Sequence, residues 1–218
     1  MRQYRGCSHL YYAIVTEASD GTATYGTPKV LAPVKSVSRE MSGDNEKVFA
    51  DNIVQQETFA ATTITRTFET TRISAEVVAE LLGNTEVTIG TGLTATKGYA
   101  TKADGSARPY IAVGYALHDG NIDNPCELVW AFKGKVNSIS KAANTIDDGT
   151  GSEGQSVEIS FVAPKKAFTT TNERNLDFVY PLSGTDTAST VTAFFAKVIT
   201  PDNASSELAP AAAQTPVQ

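Results

Sequence analysis

Ser156-Val157-Glu158-Ile159-Ser160-Phe161-Val162 is the stretch that decides the fold. Val157, Ile159 and Phe161 fall on one side of an extended chain and Ser156, Glu158 and Ser160 on the other. That is the period of two of a sheet with one buried face. Leu128, Trp130 and Phe132 repeat it upstream, with Lys133 and Lys135 opposite, and this segment is expected at the centre of the core. Gly134 within it marks a bulge or a close backbone approach.

Working outward, further strands are expected at residues 11–16, 30–38, 58–71, 94–97 and 109–117, where Thr, Val, Ile, Phe and Tyr alternate with polar residues between turn-forming clusters. In 58–71 the face Thr63, Thr65, Thr67 opposes Ile64, Arg66, Phe68, so the inward side carries an arginine. Such a strand suits a second face that meets another subunit, and a solvated edge strand fits nearly as well.

Two segments break the β pattern. Residues 74–82 read as a helix with Ser74 as its cap, Gly83 as its left-handed stop and an apolar stripe of Val77, Val78, Leu81 and Leu82. Residues 187–199 read as a second helix, whose Val191, Phe194, Phe195, Val198 and Ile199 recur at helical spacing until Pro201 ends it. The fold class is therefore mainly β with flanking helix, a sandwich or half-barrel. Its expected core includes Trp130, Phe132, Val157, Ile159, Phe161, Phe194 and Phe195.

The 218 residues suit one domain, placed at 10–200 between an amino-terminal arm, 1–9, and a flexible Ala/Pro-rich tail, 201–218. Residues 39–52 form a long polar stretch interrupted by Met41, Val48 and Phe49, read as a loop of functional length. A net charge of −6 argues against a surface that grips phosphate. No run approaches the ~20 apolar residues of a membrane helix, and the opening residues do not read as a secretory signal, so a cytoplasmic setting is expected. Cys7 and Cys126 are read as free thiols.

The chemistry expected is slight. His9 and His118 are read as solvated, and no triad can be assembled with them. The run Gly149 to Gly154 lacks the Lys-Ser or Lys-Thr of a phosphate loop. Asp147-Asp148 and the stretch Asp119 to Asp123 lack calcium-loop spacing and are read as turns. No catalytic residue, cofactor or metal site is expected.

The order of the pieces resembles a known family. Leu10-Tyr11-Tyr12-Ala13-Ile14-Val15-Thr16 with Tyr25-Gly26-Thr27-Pro28, Phe49-Ala50-Asp51-Asn52, the helix Ile73 to Gly83, Pro109 to Tyr115, Val129 to Lys135 and Ala193 to Val198 are similar to the major tail proteins of phi13-like siphophages and prophages of Gram-positive bacteria. Phe194 stands where that family usually has tryptophan. The resemblance covers residues 10–200 and implies a tail-tube β-sandwich or half-barrel whose six copies close into rings. The rings stack around a tape measure protein and meet distal tail and tail terminator proteins, and DNA later passes through the lumen without specific binding.

The implied place is the virion tail, assembled in the host cytoplasm. In that scheme residues 39–52 dock onto the next ring through Met41, Asp44, Lys47, Val48, Phe49 and Asp51. The rival readings are a tube subunit of a contractile tail or injection system, and a carbohydrate- or surface-binding sandwich using Trp130 and the tyrosines as stacking faces.

Overall fold

A computed structural model describes residues 3–43, 45–50, 53–59, 62–120, 124–142, 154–183, 186 and 188–208, with the backbone alone for 45–50, 53–59 and 93. The strands of the first half are β1 (Gly6–Glu17), β2 (Ala23–Tyr25), β3 (Lys29–Val30), β4 (Val34–Ser42), β5 (Asn45–Ala50), β6 (Ile53–Phe59) and β7 (Thr63–Thr70). Helix α1 (Ala75–Leu82) leads to β8 (Thr85–Ile89) and β9 (Thr96–Ala100). Then come β10 (Tyr110–His118), β11 (Glu127–Lys141), β12 (Gln155–Phe161), β13 (Asp177–Pro181), α2 (Ala188–Ala196) and α3 (Ala204–Glu207).

The fold is mainly β, a sandwich-like antiparallel sheet ordered β2-β1-β10-β11-β12-β7-β4, with β13 paired to β11 and β3 to β1. The 15-residue β11 is its spine. Residues 127–131 pair with β13 and residues 134–141 with β12, so one strand feeds two ladders. Gly134 sits where the ladders change over. A Cβ there would lie 2.7 Å from Ile159 Cγ2 and Phe161 Cε1, which is the close approach expected from the sequence.

The expected core residues are buried, but in two separate clusters. Val157, Ile159 and Phe161 join Val113, Val129, Ala131, Phe68 and α1's Leu81 on one face of the sheet. Trp130, Phe132 and Leu128 point to the other, where Phe194 and Phe195 of α2 cover them together with Val198 and Ile199. Residues 128–132 are thus apolar without a break because both faces of β11 are covered. Helix α1 is capped as anticipated: Ser74 Oγ accepts from the Val77 amide at 3.3 Å, and Gly83 is left-handed at φ 65°.

Several sequence expectations are corrected. Residues 6–9 of the expected amino-terminal arm belong to the sheet, since β1 begins at Gly6 and pairs Gly6, Cys7 and Ser8 with His118, Leu117 and Ala116. The strand expected at 30–38 is divided by Pro33 into β3 and β4, and the one at 58–71 resolves into β6 and β7. Residues 92–94 form a 3₁₀ turn before β9. Helix α2 is shorter than the apolar spacing implied, though Val198 and Ile199 remain buried beyond its end.

The domain also runs past 200. The Asp202 carboxylate accepts from the Thr169 and Thr170 amides at 3.1 and 2.7 Å, and Ala204 and Leu208 pack on the second core. Residues 209–218, the rest of the expected tail, lie outside the described residues, as do Asp147, Asp148 and residues 149–153.

Arg66 is neither solvated nor turned toward another subunit. Its strand β7 is internal, between β12 and β4, and its guanidinium is wholly buried against Asp177, 111 residues away. Lys133 is likewise buried and ion-paired to Glu17 at 2.8 Å. A buried cation persists when a carboxylate and further hydrogen bonds replace its lost water.

Gly114 on β10 faces Trp130, and a Cβ there would meet three atoms of the indole ring at 2.8 Å. Gly114→Ala should therefore lower stability by about 1–3 kcal/mol. Urea unfolding followed through the emission of Trp130, the chain's single tryptophan, measures it. Gly105→Ala, whose Cβ meets only Arg108 Nε at 3.9 Å, should stay within about 0.5 kcal/mol.

Candidate assembly surface

Of the residues expected to dock between rings, Met41, Lys47, Val48 and Phe49 lie on strands. Strand β4 continues through Arg39, Glu40, Met41 and Ser42, pairing them with Arg66, Thr65, Ile64 and Thr63 of β7. Lys47, Val48 and Phe49 lie on β5 opposite Glu57, Gln56 and Val54 of β6. Asp44 and Asp51 fall outside the described residues. The reason for the difference is composition. Strand β4 is a sheet edge whose residues are mostly exposed, so its sequence carries polar side chains where a central strand would carry apolar ones. Met41 is itself 58% exposed.

A second hairpin, β8–β9, was foreseen only in its second strand, which overlaps the strand expected at 94–97. It forms a two-stranded sheet of its own, and every residue of β8 is exposed. Val87 and Ile89 are 47% and 59% exposed, while Glu86 pairs with Lys97 at 3.1 Å. Ile89 lies across Gly98, which leaves no room for a further Cβ without pushing Ile89 Cδ1 from 3.0 Å. The signal was present in Thr85-Glu86-Val87-Thr88-Ile89, which alternates with period two between Gly83 and Gly90. An isolated two-stranded ribbon is marginal in water, and apolar residues exposed on one invite a covering partner.

Several further edges are open among the described residues, among them β4, paired only with β7, and β13, paired only with β11. Val179 in the middle of β13 is 45% exposed. The molecule thus presents Met41, Val87, Ile89 and Val179 on edge or hairpin strands. The Trp130 stacking face that a carbohydrate-binding sandwich would use does not exist, because the indole is completely buried and its Nε1 donates to the Phe194 carbonyl at 2.9 Å.

His118 departs from the solvated reading, whereas His9 remains exposed with one ring face against Phe195. Ser8 Oγ lies 2.6 Å from His9 Nδ1 and 2.7 Å from His118 Nε2, and His118 is buried. His9 occupies a bulge of β1 at φ 56° and stacks on Phe195 with ring centroids 5.4 Å apart. A serine hydroxyl has one proton, so it donates to one ring and accepts from the other. Burial, and then the neighbouring His118, hold His9 below the usual imidazole range. Among the described residues no cluster of three or more His, Cys, Asp or Glu side chains could hold a metal ion, and no helix is long and apolar enough to cross a membrane.

No protein-family model matches the chain, and no curated protein matches it.

A depressed histidine pKa carries a definite sign. The unfolded chain takes up the proton first, so the stability tied to neutral His9 is complete above about pH 6.5 and is lost as pH falls through the folded-state value. The urea midpoint should therefore fall from pH 7 to pH 5. His9→Asn, which tolerates the left-handed backbone, should flatten that slope; a slope unchanged in the variant would assign the effect elsewhere.

Proposed function

We propose that the chain is the structural subunit of the tail tube of a long-tailed bacteriophage and carries out no catalysis of its own. The observation that carries this reading is the β8–β9 hairpin, whose Val87 and Ile89 stay 47% and 59% exposed among the described residues. The open edges of β4 and β13 add to it, and so does the resemblance of residues 10–200 to phi13-like major tail proteins.

In this reading the fold is the tail-tube type of β-sandwich or half-barrel. Copies join head to tail through unlike surfaces, and such a contact closes into a ring when its rotation completes a circle. Six copies make a ring, and rings stack around the tape measure protein between the distal tail and terminator proteins, in a virion tail assembled in the host cytoplasm. Exposed edges and hairpin faces are then buried by the neighbouring subunit, which removes the aggregation hazard of an open strand. The excess of acidic side chains, with a net charge of −6, repels a phosphate backbone and lets DNA pass without sticking.

The docking role expected of residues 39–52 passes to strands. Met41 at the β4 edge and Lys47, Val48 and Phe49 on the β5–β6 hairpin, a two-stranded sheet of its own, take up that role.

The double variant Val87→Asp, Ile89→Asp tests the reading. Both side chains are exposed, so monomer stability should change by about 0.5 kcal/mol or less per site, while self-association measured by sedimentation should be abolished. Undiminished assembly by the folded variant would contradict the proposal.

A further inference from the structure

The first core is open at one end, where a cavity of about 380 Å³ lies between β4, β7, β10, β11 and β13. That volume is within the range of small-molecule sites. Arg66 lines it and is wholly buried. Its Nε donates to the Tyr115 hydroxyl at 3.2 Å, its Nη2 to the Asp177 carboxylate, and its guanidinium carbon sits 5.0 Å from the centroid of the Phe161 ring. Nη1 has no hydrogen-bond partner among the described residues. A charged donor left unsatisfied in the interior is costly, and buried polar groups are as a rule paired.

Arg39 stands directly opposite Arg66 in the β4–β7 register and approaches the same Asp177 carboxylate at 3.5 Å, with its side chain 41% exposed. Two guanidinium groups therefore share one carboxylate, and this end of the cavity carries one positive charge in excess. Glu127 is the cavity's other acid. Asp177 pairs with Ala131 and Pro181 with Glu127, so Glu127 lies four residues further along the ladder, about 13 Å away at the rise of a strand. There it accepts from the Tyr4 hydroxyl at 2.8 Å. Between the two ends Val129 and Val179 provide an apolar wall.

We propose that this cavity binds a monocarboxylate. The exposed Arg39 side chain swings outward and uncovers the Arg66 guanidinium, and the incoming carboxylate is held between the two by charge-assisted hydrogen bonds. The aliphatic body lies along Val129 and Val179, and Glu127 at the far end rejects a second negative charge. The carboxylate belongs either to a free organic acid or to an acidic side chain of a second copy. The site stands independently of the tube reading.

Sodium hexanoate is the probe, titrated into isotope-labelled full-length protein while the valine methyl and arginine Nε–H resonances are followed. Saturable shifts are expected at Val129, Val179 and Arg66, with hexan-1-ol and adipate about tenfold weaker or more. Arg39→Gln, a partly exposed site that leaves Arg66 and Asp177 paired, should weaken hexanoate by about tenfold or more. Val179→Trp should fill the cavity and abolish the shifts.

Sedimentation separates the two sources. If Arg39→Gln and added hexanoate both reduce self-association, the carboxylate comes from a second copy; if association is unchanged while hexanoate binds, it comes from a free acid. Hexanoate shifts no larger than those of hexan-1-ol, together with self-association unaffected by Arg39→Gln, would overturn the proposal.

Discussion

The burial of β11 on both faces is the constraint on which the rest of the structure depends. Trp130 fills the space above Gly114, where any larger residue would collide with the indole, and its ring nitrogen ties down the Phe194 carbonyl. That one bond satisfies an orphan acceptor near the end of α2 and fixes the helix over the sheet. On the opposite face Val129 and Ala131 enter the first core with α1. Because β11 also serves two ladders, β12 and β13 are positioned by the same fifteen residues. The edge strand β4 and the hairpins β5–β6 and β8–β9 are carried on this frame, and a frame closed on both faces leaves edges and hairpins as the places where another molecule can be met.

The central strands were legible because alternation is a local property. Val157, Ile159 and Phe161 specify a face whatever lies around them, and Ser74 and Gly83 bound a helix by backbone chemistry alone. What was not legible depended on distant partners. Nothing near Arg66 in the sequence announces Asp177, and without that carboxylate an inward arginine reads as surface. Strand β13 offers only Phe178, Val179 and Tyr180 between polar residues. Residues 39–42 of β4 and strand β5 read as loop because edge and hairpin strands need few apolar side chains. The unbroken apolar run at 128–132 did signal burial on both faces, and with it a second core, but its alternation alone suggested one.

The polar interior follows a consistent pattern. Arg66 with Asp177, Lys133 with Glu17, and Tyr12 donating to Glu80 at 2.7 Å each place a buried or half-buried group opposite a partner far away in sequence. Burial acts to raise the Glu17 and Glu80 carboxyls, yet Lys133 and Lys29 hold them below the ordinary range. Such pairs add little net stability relative to apolar packing, but breaking one is expensive, so they select one arrangement of strands over its slipped alternatives. Among the surface apolar residues, Met41 stands out in the sequence because polar residues surround it, whereas Val87 and Ile89, exposed on a hairpin of their own, read as part of an ordinary alternating stretch.

The most direct test is electron microscopy of the purified protein over a wide concentration range. The account expects rings or hollow tubes with a regular axial repeat, built by contacts between unlike surfaces. A protein that stays monomeric at every concentration, or that closes as a two-fold dimer and grows no further, would contradict it.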